Sequence, residues 1–329
     1  MINVGLNSIN NIMIGSTQAQ KAYLGNILIW EHMIPYDEQY FTIESLEDSN
    51  KISLTKGGNN ISLSYSTDDG TTWTNLSITG NTTFATINTG DKILFKGTNN
   101  SFSSAWDKRD TFVCSKKFNV YGNVMSLLWG DDFESHSEFE TGTTHNLCGL
   151  FYGITTLIDA SNLILPAIIC TTSCYNGTFR GCTNLIAAPD LPATQSAQEC
   201  YSSMFEGCIN LEDAGVPEIN LINMSQNCCK RMFIMNRNSK ITTPKMTKSP
   251  ILRCTSGANG CYEEMFKGNG NLVEVTCLMQ GNNISYKDWL VNTSSTGTFK
   301  KASGTTWTSG TSGIPAGWTI EDYVDPNEE

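Results

Sequence analysis

Apolar residues come in short runs at the start of the chain, separated by turn residues. Val4-Gly5-Leu6 is followed by Asn10-Asn11, then Ile12-Met13-Ile14, then Gly15-Ser16-Thr17. Tyr23-Leu24, the turn Gly25-Asn26 and Ile27-Leu28-Ile29-Trp30 come next. The pattern predicts three or four very short strands joined by tight turns. A module of residues 1–32 buries too little surface to fold alone, so it must pack on its neighbour, trimerise or dock on a partner. From Pro35 the pattern changes to longer runs. Phe41-Thr42-Ile43, Lys51–Thr55, Ile61–Tyr65 and Thr72-Trp73-Thr74 come first, with Asp68-Asp69-Gly70 as a hairpin turn between the last two. Phe84–Ile87, Lys92–Phe95, Phe112-Val113, Phe118–Tyr121 and Val124–Leu128 complete the set. Short strands with regular turns over residues 33–135 predict an antiparallel β-sandwich or similar roll.

Residues 136–278 repeat themselves. Cys174-Tyr175-Asn176-Gly177-Thr178-Phe179-Arg180-Gly181-Cys182-Thr183-Asn184-Leu185 recurs as the twelve residues from Cys200 to Leu211 and again from Cys261 to Leu272. Cys228-Cys229-Lys230-Arg231-Met232-Phe233 is a degenerate copy, and Leu150-Phe151-Tyr152-Gly153 an opening one. The anchor phenylalanines 151, 179, 205, 233 and 266 are 28, 26, 28 and 33 residues apart, with an insertion around 236–257 in the last interval. The first Cys, the Met or Thr, the Phe and the second Cys of each copy are expected to bury one face of a short helix or 3-10 turn. The Gly supplies a left-handed stop. Asn-Leu then turns the chain into a short strand such as Leu185–Pro189. Stacked copies bury a core that no single copy could.

Residues 279–329 read as a closing cap. Ser285–Leu290 predicts a last helical turn, and Gly297–Lys300, Thr305–Thr308 and Ile314–Ile320 predict short strands ahead of an acidic tail.

These motifs carry two resemblances. Ile14-Gly15-Ser16-Thr17, Lys21–Asn26 and Ile29-Trp30 resemble a short N-terminal module of phage tail and head fibre proteins, above all from crAss-like and other phages of gut Bacteroidales. The resemblance implies that Ile14, Gly15, Tyr23, Leu24, Gly25 and Trp30 attach the chain to a particle. The repeat resembles the BspA-type leucine-rich repeats of bacterial surface proteins and of phages infecting gut bacteria, a family associated with adhesion. The Gly-Thr-Phe and Gly-Ile-Pro-Ala-Gly-Trp ending is similar to that which follows the repeats in related phage proteins. The implied fold is multidomain, mainly β with an α/β solenoid: anchor, antiparallel sandwich, leucine-rich-repeat domain and β cap.

Composition narrows the function. Charged residues make up only 16% of the chain, so Ser, Thr, Asn and Gly must cover the surface. The net charge of −11 and the scattered Lys and Arg argue against nucleic acid, which needs concentrated basic charge. No apolar stretch approaches the length of a membrane span, and Met1–Asn7 has no basic run of a signal peptide. The expected place is therefore a virion assembled in a bacterial cytoplasm. Of twelve cysteines only Cys114 precedes residue 148, and none forms a C-x-x-C pair. They read as small, reduced, buried hydrophobes, with ladder disulfides after oxidation as the alternative.

No constellation for catalysis stands out. His32 falls in a linker, and His136 and His145 in a polar segment beside Asp131 and Asp132, without metal-ligand spacing. Asp68-Asp69 reads as turn rather than calcium ligand. Glu138, Glu140, Glu263 and Glu264 are the carboxylates available for glycoside cleavage. The reading is a non-enzymatic virion protein without cofactor or metal: head fibre, capsid decoration or tail fibre. Its expected partners are other virion proteins, further copies of itself, and host-surface glycan or protein. Tyr175, Tyr201 and Tyr262 are the candidate glycan-stacking aromatics, one per repeat; the alternative places them between repeats beside the buried Cys. A bacterial surface adhesin and a phage polysaccharide depolymerase are the competing functions.

Overall fold

The computed structural model describes residues 35–325 apart from 59, 77, 79, 237–242, 255 and 280–285, and before them 13–14, 17–18, 21–24 and 27–31. In that first stretch β1 (Met13–Ile14) pairs antiparallel with β2 (Thr17–Gln18), and β3 (Lys21–Leu24) with β4 (Ile27–Glu31). The strand expected at residues 4–6, and the turn glycines Gly15 and Gly25, lie outside the described residues.

Nearly every strand expected between 41 and 123 forms, offset by one or two residues. The strands are β5 (Phe41–Ser45), β6 (Asn50–Thr55), β7 (Leu63–Ser66), β8 (Thr74–Leu76), β9 (Thr82–Ile87), β10 (Lys92–Lys96), β11 (Thr111–Cys114) and β12 (Phe118–Asn123). Their alternation has a plain cause. On β6, Ile52 and Leu54 are buried while Lys51 is exposed, and on β10, Ile93 and Phe95 are buried while Lys92 is exposed. With β13 (Leu157–Ile164) these strands form a six-stranded sheet in the order β13-β12-β5-β10-β7-β8 and a three-stranded sheet β11-β6-β9. The two face each other across an aromatic layer. Phe112 of β11 lies 5.2 Å from Phe41 of β5 and 4.9 Å from Phe95 of β10, and Phe84 of β9 lies 5.7 Å from Phe95.

One run departs from expectation. Val124–Leu128 is not a strand: residues 126–129 form the short helix α1 (Ser126–Trp129). Gly122, the last residue but one of β12, has φ +79, and a Cβ there would lie 2.2 Å from the Tyr40 carbonyl oxygen. The Asn123 side chain then accepts from the Met125 amide at 2.9 Å and starts the turn. Residues 124–128 are all buried, so apolar character could not separate strand from helix.

The sheet does not stop at residue 135. β13 (Leu157–Ile164) joins it in parallel with β12. Beyond it the chain makes successive stacked turns, here called coils. Each carries a segment of overlapping tight turns, in place of the short helix expected, with a left-handed residue every fourth position: 145, 149 and 153; 173, 177 and 181; 199, 203 and 207; 227 and 231; 260, 264 and 268. The left-handed residue blocks helix propagation and splits the amides into two sets. In the second coil the amides of Cys174, Asn176, Thr178, Arg180 and Cys182 donate three residues back. Those of Ser173, Tyr175, Gly177, Phe179 and Gly181 donate to the next coil, at Gln198, Cys200, Ser202, Met204 and Glu206, over 2.7–3.0 Å. The other sides of the stack are closed by parallel bridges, Ile169–Gln195–Asn223 and Leu191–Ile219–Leu252–Cys277 among them, and by the pair β14 (Asn223–Met224) and β15 (Ser256–Gly257).

The anchor phenylalanines form one column. Phe151, Phe179, Phe205, Phe233 and Phe266 stack at successive centroid distances of 5.6, 5.5, 5.5 and 5.7 Å, with planes within 17°. The column starts on the aromatic layer between the sheets, since Phe151 lies 6.1 Å from Phe41 and 6.4 Å from Phe112. At the far end β16 (Glu274–Cys277), β17 (Gly297–Lys301) and β18 (Trp318–Asp322) form a parallel sheet. The expected strand at 305–308 does not form. Trp307 instead lays its ring on Trp289 at 5.7 Å and meets Phe299 at 4.9 Å, which ties that segment to the last coil by its side chain.

Candidate functional site

Four of the six attachment candidates fall on the described N-terminal strands, and Gly15 and Gly25 lie outside the described residues. Ile14 ends β1, Tyr23 and Leu24 close β3, and Trp30 lies on β4 opposite Ala22. Tight pairing of two- to five-residue strands is what such short apolar runs can form.

The three tyrosines are a correction. Tyr175, Tyr201 and Tyr262 are 0%, 1% and 0% exposed, so they offer no ring to a glycan. Tyr175 stacks on Tyr201 at 5.7 Å and meets Phe139 edge-on at 5.3 Å, and Tyr262 stacks on Trp289 at 6.4 Å. They lie in the interior between coils beside the cysteines, the alternative weighed from their position in the repeat. Burial pushes all three phenols well above their usual range.

The surface that is open lies on the bridged side of the stack. A shallow groove of about 400 Å³ between two coils is lined by Thr194, Gln195, Ser196, Ile222, Asn223, Met224 and Ser225, none of them charged. Ile222 is 48% exposed there, and Ile168 and Ile169, on the far side of the Thr194-Gln195 coil, are 41% and 49% exposed. Ser196 and Ser225 are already used between coils: Ser196 Oγ donates to the Asn223 carbonyl at 2.9 Å, and Ser225 Oγ to the Ser196 carbonyl at 3.0 Å.

Of the four carboxylate candidates, Glu138, Glu263 and Glu264 are occupied by structural contacts, and Glu140 is held in its turn, among the described residues, only by its backbone carbonyl, which accepts from the Thr143 amide and hydroxyl. Glu138 accepts the Ile168 and Ile169 amides on its two oxygens at 3.1 and 3.0 Å, in place of the carbonyls a preceding coil would present. Glu263 pairs with Lys230 at 3.2 Å, and Glu264 with Arg231 at 2.6 Å and Lys267 at 2.5 Å. Burial opposes ionisation of Glu264, but Lys267 and Arg231 together hold it below the usual carboxylate range. Asp131 pairs with Lys96 at 2.7 Å and accepts from the Tyr40 hydroxyl at 2.8 Å. The Asp68 carboxylate is taken up by its own turn, accepting from Ser66, the Thr72 amide and the Thr72 hydroxyl, which lower it to about 2.

His136 stacks flat on Trp129, at 3.7 Å and 3°. His145 opens the first coil in a left-handed conformation, φ +56, and its burial lowers the imidazole below its usual range. His32 lies outside the described residues. Among the described residues no group of three or more His, Cys, Asp and Glu is placed to hold a metal ion, and no helix is long and apolar enough to cross a membrane.

Two side-chain ladders carry chemistry that the spacing left unassigned. Asn184, Asn210 and Asn271 each donate from Nδ2 at 2.8 Å to a carbonyl of the preceding coil, at Thr155, Thr183 and Pro244. The thiols of Cys182 and Cys208 donate at 3.1 Å to the Phe151 and Phe179 carbonyls one coil back. The recurrence of Asn-Leu and of the second Cys in each copy was the available signal. No family model, curated protein or solved structure matches this chain.

Proposed function

We propose that this chain is a structural component of a bacteriophage particle, attached through residues 1–32 and displaying a BspA-type leucine-rich-repeat solenoid towards the host surface. In this reading residues 33–135 are a β-sandwich, 136–278 the solenoid and 279–329 its cap. One observation carries it: the repeat, complete as Cys-Tyr-x-x-Met/Thr-Phe-x-Gly in three copies and degenerate in two, stacks its five anchor phenylalanines in one continuous column. A rigid, one-dimensional stack with an uncharged, amide- and hydroxyl-lined side suits display and adhesion. Its ligand surface is the bridged side around Gln195 and Ile222, which replaces the buried tyrosines in that part. Further copies of the chain and other virion proteins are its partners at the N-terminal hairpins.

The test is deletion of residues 1–32, followed by quantitative mass spectrometry of purified particles. Loss of the shortened chain from particles, while it remains folded in solution, supports an attachment module. Unchanged incorporation overturns that assignment. Absence of the full-length chain from particles overturns the virion reading and favours a bacterial surface adhesin.

A further inference from the structure

Asparagine followed by glycine is chemically labile, because a glycine amide has no neighbouring Cβ to hinder its approach to the asparagine side chain. The chain holds three such pairs: Asn176-Gly177, Asn259-Gly260 and Asn269-Gly270. Two are locked by the fold. Asn176 is buried with its Nδ2 3.5 Å from Glu199 Oε2, and its carbonyl accepts the Gly149 amide at 3.0 Å. The Gly177 amide donates to the Ser202 carbonyl at 2.9 Å, and the Trp106 ring lies against the glycine. Asn269 is fully buried and held at both ends: Nδ2 donates to the Met246 carbonyl at 3.0 Å, and Oδ1 accepts the Asn271 amide at 3.2 Å. Asn259 is different. It lies two residues beyond β15 and is exposed. Among the described residues neither its side chain nor the Gly260 amide makes a hydrogen bond. Where the two residues join, one contact has to open: the Asn227 amide donates to the Asn259 carbonyl at 3.1 Å.

We propose that Asn259 is a site of spontaneous deamidation in the folded chain, converting to isoaspartate and aspartate with water as the co-reactant. The Gly260 nitrogen attacks the side-chain carbonyl carbon of Asn259 and gives up its proton. The new carbon–nitrogen bond closes a cyclic imide, and the side-chain amide nitrogen takes up a proton and leaves as ammonia. One water then opens the imide. Attack at the side-chain carbonyl gives aspartate. Attack at the main-chain carbonyl gives isoaspartate, in which the chain runs through the former side chain and the former main-chain carbonyl is a free carboxylate. No oxidant or reductant takes part. The fold keeps the reactive pair in place: Gly260 has φ +75, and a Cβ there would overlap Asn227 Oδ1. Gln198, Gln226 and Asn259 are exposed at matching places in successive coils, where the Glu199 amide donates to the Gln226 carbonyl as the Asn227 amide does to Asn259. Either product therefore puts a carboxylate into an uncharged row of amides. Isoaspartate also alters the group that accepts the Asn227 amide, at the junction of two coils.

The experiment holds the folded full-length chain at mildly alkaline pH beside a sample unfolded in guanidinium chloride. Peptide mapping by mass spectrometry follows the Asn-Gly pairs at 176, 259 and 269 over time, with isoaspartate told from aspartate by electron-transfer fragmentation. In the folded chain Asn259 should convert while Asn176 and Asn269 stay intact, and in the unfolded chain all of them should convert. Asn259→Gln, whose longer side chain closes the ring far more slowly, should abolish conversion at that position and leave thermal unfolding unchanged. Asn259 that stays intact in the folded chain while it converts in the unfolded one would overturn the proposal. So would Asn176 or Asn269 converting as fast as Asn259 in the folded chain. The mapping on the unmodified chain decides the matter even if the variant fails to fold.

Discussion

At the scale of single residues, the stack is held by groups whose partners lie one coil away. Asn210 shows the logic: its side chain donates to the Thr183 carbonyl, and on the other side Asn184 does the same to Thr155. Replacing Asn210 with Ala leaves that carbonyl short of a donor and should lower stability by about 1–2 kcal/mol, read from urea unfolding. Left-handed sites give a second prediction. Gly177 has φ +59 and its Cβ position lies 2.5 Å from the Trp106 ring, so Gly177→Ala meets both backbone strain and a clash and should cost about 2–3 kcal/mol. His145 gives a third. Its folded-state affinity for protons is lowered by burial, so the unfolded chain binds the proton more readily. Stability from this group is then fully present above the unfolded imidazole value of about 6.5 and declines as pH falls through it. His145→Asn keeps a residue tolerant of φ +56 and should flatten the decline between about pH 7 and 5 in thermal melts.

At the scale of elements, the repeat was legible because its chemistry is periodic, and the shape of each repeat was not. The phenylalanine spacing placed every member of the column that forms, from Phe151 to Phe266. The short helix expected around Phe179 and Phe205 is a run of overlapping turns, because a left-handed residue falls at every fourth position. At Ser203, Arg231 and Glu264 that residue is not glycine, so nothing in its identity announced it. Tyr175 and Tyr201 were ambiguous for the same reason: a helix places the residue after a buried Cys towards its flank, whereas this turn geometry directs both inward. Glu138 was legible as a carboxylate but not as the cap of a strand edge, since its partners Ile168 and Ile169 lie about thirty residues on. The central Phe205 touches a ring on both sides. Phe205→Ala should therefore cost about 3–5 kcal/mol, and Phe205→Leu distinctly less, in the same urea titration.

At the scale of the whole molecule, the first two-sheet part does more than precede the stack. Every coil offers carbonyls to the coil before it, and the first coil has none before it. Its carbonyls at Asn146, Cys148 and Leu150 are met instead by the Phe102 amide, the Ser103 hydroxyl and the Phe112 amide at 2.7, 2.7 and 2.9 Å. Glu138 covers the matching amides on the bridged side, and Phe112 covers the end of the phenylalanine column. The two-sheet part is thus the N-terminal cap of the stack, as Trp307 on Trp289 closes the opposite end. A stack of this kind conveys stability only between neighbours, so an open end exposes both apolar surface and a row of unmatched carbonyls. A fragment beginning at residue 136 would lose β5 to β12 together with the segments that carry Phe102 and Phe112. It should associate or precipitate where the full chain stays dispersed, as read by light scattering on size-exclusion chromatography. A fragment that remained monomeric with unchanged thermal unfolding would show that the coils hold their own end closed, and the cap assignment would fall.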